Sequence, residues 1–210
     1  YFFKYDIGGA GWNANYVLFN TFGGGIQIIS MMLFYPLFRK FISAMQVFYV
    51  SFVMAIGGYA VLLALMFTNR TNIYILMIPG FFIFTAFGML TVLTTVFLAN
   101  TVDYGELKNN RRDESVIFSM QTFVVKLASG VAAMIASICL TISNISNDTS
   151  TEAAAMVSDS YTSVAVLRMT MTVLPIIGLL VAVFIFAKKY ILTDEKLGEI
   201  NQELAHRHKA

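Results

Sequence analysis

Apolar runs without a single charge alternate along this chain with short polar clusters, each run long enough for one membrane crossing. Four of them are Ile7 to Phe38, Phe41 to Asn69, Thr71 to Val102 and Met169 to Ala187. A fifth, Ser115 to Ser143, is broken by one cation, Lys126. A helix needs about 20 apolar residues to cross a bilayer. Trimmed to their apolar cores, the runs predict spanning helices over roughly 16–37, 45–67, 73–99, 115–143 and 163–187. The expected fold is all-α, a polytopic membrane helical bundle over residues 1–192 with a cytoplasmic tail over 193–210.

Composition agrees with the pattern. Of 210 residues, 58% are hydrophobic and 12% charged, and the mean hydropathy is +0.72, outside the range of soluble globular domains. A net charge of +2, spread over span ends, lacks the footprint of a nucleic-acid binder. The one cysteine, Cys139, cannot form an internal disulfide and suits packing. His206 and His208 read as surface residues of the tail, and no metal or nucleophile constellation is visible, so an enzyme is not expected.

Orientation follows the basic residues, because short cytoplasmic loops hold the positive excess. Ten of the 14 lie on one side: Arg39, Lys40, Lys108, Arg111, Arg112, Lys188, Lys189, Lys196, Arg207 and Lys209. The opposite side receives Asn69 to Asn72 and the acidic stretch Asn144 to Tyr161, with Asp148, Glu152 and Asp159. Five spans with a cytoplasmic C-terminus put Tyr1 outside, so the expected unit is a six-helix half whose first helix is mostly missing. Six-helix repeats are the building unit of large carriers. Trp12, Tyr16, Tyr74 and Tyr161 mark the outer interface, and Arg168, one turn into the last span, is expected to snorkel to the near surface.

The clustered glycines, Gly23 to Gly25, Gly57, Gly58, Gly80 and Gly88, fit close helix packing, with a flexing point or an open wall as the other reading. Pro79 and Pro175 lie near span ends, where a kink is cheap.

Two features carry candidate chemistry. A cation in hydrocarbon costs several kcal/mol, about 3 or more at the centre of a span, so Lys126 should face a cavity and touch a substrate, an ion or a carboxylate. Counting about 1.5 Å per residue from Ser115 puts it about 16 Å deep. Ser119, Thr122, Ser129, Gly130 and Ala133 share its face, a small and polar stripe. Gln121 lies about 140° away and by angle faces a neighbouring helix. A structural counter-charge to an acid elsewhere is the rival reading of the lysine. The second feature is the polar connection 100–115, where Asp103, Glu106 and Arg112 suit ion pairs at the cytoplasmic mouth and Asp113 suits a helix cap.

At these residues the chain resembles the glycoside-pentoside-hexuronide:cation symporters, the melibiose-permease-like branch of the major facilitator superfamily. The resemblance rests on Asp103-Tyr-Gly-Glu106, Arg112, Glu114-Ser115, Gln121-Thr122 and Lys126, on the opening YFFKYDIG, and on the stretch from Arg168 to the tail. It implies that Lys126, Gln121 and Thr122 border a sugar cavity, with Lys126 also near the coupling cation. It further implies a cytoplasmic gate of Asp103, Glu106, Arg112 and Glu114. Thr91 stands where the melibiose permease has a tryptophan that stacks on the sugar, and Asn100 where it has a gate acid.

The expectation is secondary transport of a glycoside, pentoside or hexuronide, coupled to sodium or a proton by alternating access, in the cell's inner (plasma) membrane. The partners are the sugar, the cation, the lipid bilayer and an N-terminal six-helix half that supplies the main cation-binding acids; no cofactor is expected. A non-transporting sensor or scaffold on the same fold is the alternative.

Overall fold

The structure, a computed structural model, describes residues 2–7, 11–68, 72–142, 161–192 and 194–207, with the backbone alone at Tyr5, 161–163 and 205–207. The connections 69–71 and 143–160, on which the orientation argument partly rests, and His208 lie outside the described residues.

Among the described residues an opening π-helical turn, Phe3–Ile7, precedes six helices: α1 Trp12–Phe41, α2 Ala44–Phe67, α3 Ile73–Asn109, α4 Glu114–Ile142, α5 Tyr161–Lys189 and α6 Asp194–Arg207. Five of these, α1 to α5, are long and apolar enough to cross a membrane. No strand occurs among the described residues.

The helix starts follow local chemistry. Ser43 and Gln46 close a reciprocal capping box on α2: the Gln46 amide donates to Ser43 Oγ at 3.2 Å and the Ser43 amide to Gln46 Oε1 at 3.0 Å. Asn72 Oδ1 accepts the Tyr74 amide at 3.0 Å at the head of α3. That helix ends at Asn110, whose left-handed backbone (φ 53°) turns the chain back toward α4.

The 37-residue α3 is the axis of the bundle, packing on α1, α2, α4 and α6. Its buried residues Leu76, Ile83, Met89, Leu93 and Phe97 feed two apolar clusters. One, toward Asn72, joins Phe2 and Phe3 to Leu62, Met66 and Leu76. The other, toward Arg112, joins Val47, Phe48 and Phe52 to Leu93 and Phe97, where α5 adds Phe186 and Tyr190 in a ring stack with centroids 4.4 Å apart. The close α1–α3 crossing depends on a missing side chain. A Cβ on Gly88 would stand 2.7 Å from the Gln27 carbonyl oxygen, and beside it Ser30 Oγ donates to the Thr85 carbonyl at 2.6 Å. Ser30 opens a π turn, Ser30–Phe34, which widens α1 at that crossing. The glycines therefore divide: Gly58 and Gly88 are contact surfaces, whereas Gly24, Gly25 and Gly57 face open space.

Past the apolar core, α3 continues for ten residues to Asn109 through the expected connection, because Tyr104 and Leu107 are covered by α6. The tail helix packs Leu197, Ile200 and Leu204 there, together with Leu192. By contrast, α4 is peripheral: only Cys139 and Leu140 are buried along its 29 residues.

Candidate functional site

Arg112 is where the connection between α3 and α4 becomes a structure. Asp103 and Glu106, one turn apart, share a face of α3, and the left-handed turn at Asn110 folds Arg112 back over them. Its Nη1 donates to Glu106 Oε2 at 2.8 Å and reaches Asp103 Oδ1 at 3.4 Å, while Nε donates to Glu114 Oε2 at 3.2 Å. One guanidinium thus joins the last turns of α3 to the first residue of α4. Hydrogen bonds to Glu106 and then Glu114 hold its pKa above the ordinary arginine value. Next to it, Arg111 Nε meets Asp113 Oδ1 at 2.7 Å, so the side chain of Asp113 is an ion-pair partner while its carbonyl accepts the Ile117 amide in the first turn of α4. The cluster opens to solvent on one side: Arg112 and Glu114 keep about half of their side-chain surface, in the range where ion pairs are individually weak, whereas Glu106 keeps 15%.

Beyond this joint, α3 and α4 diverge around a cavity of about 440 Å³, lined by Thr94, Leu98, Ile117, Met120, Gln121 and Val124 among others. Gln121 is half-buried there, between the helices. Lys126 is on the other side of α4, exposed with Ser119, Thr122, Ser129, Gly130 and Ala133. It has no ion-pair or hydrogen-bond partner among the described residues and does not line this cavity. The structure thus keeps Lys126 and Thr122 together and separates Gln121 from them, as the angle of about 140° requires. Thr91 is exposed on α3, with Thr94 and Thr95 on the same face.

The hydroxyls on these faces are already committed as donors. Thr91 donates to the Phe87 carbonyl at 2.8 Å, Thr94 to Leu90 at 2.8 Å, Thr122 to Phe118 at 3.0 Å and Ser129 to Val125 at 2.9 Å. Their remaining lone pairs accept. Lys126 supplies only donors. The surface therefore offers hydroxyl acceptors and an ammonium donor, a set that matches polyhydroxylated ligands.

A second charged pair lies at the opposite end of the bundle. Arg168, two turns into α5, donates through Nε to Asp6 Oδ2 at 2.7 Å and through Nη2 to Asp6 Oδ1 at 2.6 Å. The two side chains keep 9% and 1% of their surface. This corrects the expectation that Arg168 snorkels: a carboxylate from the opening turn meets it inside the bundle, where a forked pair satisfies the guanidinium better than a reach to the surface. The sequence signal was available, since Asp6 is the one acid ahead of Asp103. A second cavity lies nearby: α1, α4, α5 and the opening turn border about 620 Å³ lined by Phe3, Phe19, Asn20, Ile135, Cys139 and Met171 among others. Among the described residues no group of three or more His, Cys, Asp or Glu is placed to hold a metal ion.

Comparison with known proteins bears on this geometry. The family described as MFS/sugar transport protein matches residues 1–194. The lactose permease of Lactobacillus delbrueckii subsp. bulgaricus is 32% identical over 208 residues, which are 97% of this chain and 30% of that protein. The raffinose carrier protein of Pediococcus pentosaceus is 28% identical over 211 residues, again 97% of this chain and 30% of the relative. An uncharacterized symporter of Bacillus subtilis, YjmB, is 26% identical over 138 residues, 66% of this chain and 28% of the relative. The chain thus spans under a third of the length of these relatives. A match along nearly all of it, on a bundle of five membrane-length helices, places it in one family: the chain belongs to the MFS/sugar transport proteins, in the melibiose-permease-like branch of the major facilitator superfamily.

Proposed function

We propose that this chain belongs to the C-terminal six-helix half of the membrane bundle of a sugar:cation symporter, in which α1, α3 and α4 present one wall of the sugar path and Arg112 is a gate at the cytoplasmic mouth. The observation that carries this reading is the four-residue cluster of Arg112 with Asp103, Glu106 and Glu114. It ties together the ends of the two helices that bear Thr91 and Lys126, at the point where their separation would open a path. Being solvent-exposed, it costs little to break, as a joint that opens once per cycle requires.

Lys126 and Thr122 then meet the sugar, the ammonium donating to ring or hydroxyl oxygens and the threonine oxygens accepting sugar hydroxyl protons. With a uronate the lysine becomes a direct counter-ion. Thr91 gives the α3 wall a hydroxyl, and Gln121, between α3 and α4, positions the helices and reaches the path when they separate. Sodium or a proton is bound mainly by an N-terminal half, and coupling follows when each ligand makes the other's binding state more favourable. The names of the lactose and raffinose relatives support glycosides as the substrate class. On this reading the carrier works in the plasma membrane, with α6 in the cytoplasm.

The test is uptake by the complete carrier of a panel of glycosides, pentosides and hexuronides, with and without a sodium or proton gradient. Gradient-dependent uptake of at least one class is expected; a carrier that accumulates none of them contradicts the reading.

A further inference from the structure

Two ion-pair sites sit at opposite ends of this bundle and differ in every property that decides how easily they open. The Arg112 cluster is reached by water at Arg112 and Glu114, both about half-exposed, is made by one guanidinium shared among three acids, and its longest contact is 3.4 Å. The Asp6–Arg168 pair is buried, forked, and has both contacts at 2.7 Å or less. An exposed pair exchanges its partner for water at little loss. A buried one has no water to exchange with, and separation leaves two charges in apolar surroundings.

The surroundings of the buried pair point the same way. Phe2 and Phe3, beside Asp6, belong to the apolar cluster toward Asn72, and Leu167 beside Arg168 is buried. Thr172, one turn further along α5, is fully buried and donates its hydroxyl to the Arg168 carbonyl at 2.7 Å. The opening turn packs Phe2 and Phe3 into that cluster, and Asp6 is its charged link to α5. Across the cavity, α4 buries only Cys139 and Leu140 along its length and meets the exposed joint at Glu114.

We propose that Asp6–Arg168 is a permanent fastening rather than a second gate: it makes the opening turn and α5 one rigid body, against which α4 with Lys126 moves during the transport cycle. The inference rests on the carrier reading for the existence of that cycle, but it assigns the moving and the fixed helices, which that reading leaves open.

The test joins the two positions in the complete carrier, with other cysteines including Cys139 replaced. Asp6→Cys and Arg168→Cys are bridged by a short, reductively cleavable bifunctional thiol reagent, and sugar uptake is compared before bridging, after it and after cleavage. Uptake of the bridged carrier within about twofold of the unbridged one is expected, since a joint that never opens loses nothing by being closed. A loss of about tenfold or more that cleavage restores overturns the proposal. The unbridged carrier's own uptake reports separately on the carrier reading. A second measurement needs no substitution: hydrogen exchange of the native carrier with and without saturating sugar. Peptides over 3–7 and 164–172 are expected to exchange equally in both, while those over 106–117 change; faster sugar-dependent exchange in 3–7 overturns the proposal.

Discussion

Asp6 and Arg168, 162 positions apart, form the most completely buried ion pair among the described residues, with both carboxylate oxygens engaged by one guanidinium. The pair brings the beginning of the chain to its last spanning helix. Removing one partner leaves the other charged and buried, whereas removing both leaves an apolar gap. Arg168→Met alone should lower stability by about 3–5 kcal/mol, and Asp6→Leu with Arg168→Met should recover most of that loss. Thermal unfolding in detergent checks it, and a double variant no more stable than the single one would show that packing, not charge, dominates the site.

Gly88 is where α1 and α3 come closest. Its added Cβ would meet the Gln27 carbonyl oxygen and Ser30 at 2.7 Å, so the helices must separate to admit it. Gly88→Ala should destabilise by about 1–3 kcal/mol. Gly57→Ala, with nothing within 4 Å, should be neutral or stabilise by about 0.4–1 kcal/mol through the unfolded chain. Unfolding midpoints of the two variants should therefore move in opposite directions or differ clearly in size; equal shifts would remove the close-approach argument.

The Arg112 joint predicts a change in access. Arg112→Gln removes all three pairings at once, so a cysteine at Leu98, half-buried in the cavity between α3 and α4, should react with a water-soluble thiol reagent several-fold faster in that background. Raised salt should accelerate the reaction in the parent and hardly affect the variant, because exposed pairs are screened. Hydrogen bonds to Glu106 and Glu114 hold the guanidinium pKa above the ordinary arginine value, so its charge, and the contribution that depends on it, is present throughout the working pH range and lost only in strong alkali. Labelling rates that ignore both the substitution and the salt would contradict a gate at Arg112.

Much of this architecture was legible in the sequence because its causes are local. The five spans follow from charge-free runs, and the Arg112 cluster from four charges within twelve positions, 103 to 114, close enough that one turn of backbone brings them together. The angle of about 140° between Gln121 and Lys126 already separated them on an ideal helix. What the pattern could not show depends on long-range contact. Arg168 looked like a snorkelling cation because its partner is at the other end of the chain. The π turn at Ser30 has no sequence signature, since its cause is the crossing with Gly88 and Thr85. The ten-residue extension of α3 past its apolar core depends on α6 covering Tyr104 and Leu107, which no window on α3 alone reveals.

The central claim is that the α4 face bearing Lys126 is a sugar-facing wall, and coupled uptake by the complete carrier with Lys126→Ala tests it most directly. A charged hydrogen bond to a ligand is worth about 1.5–3 kcal/mol, so uptake at limiting sugar should fall roughly ten- to a hundredfold. Expression and unfolding temperature should stay at parental values, because the exposed ammonium has no partner among the described residues. Parental uptake and coupling in that variant would contradict the account and leave Lys126 a structural charge.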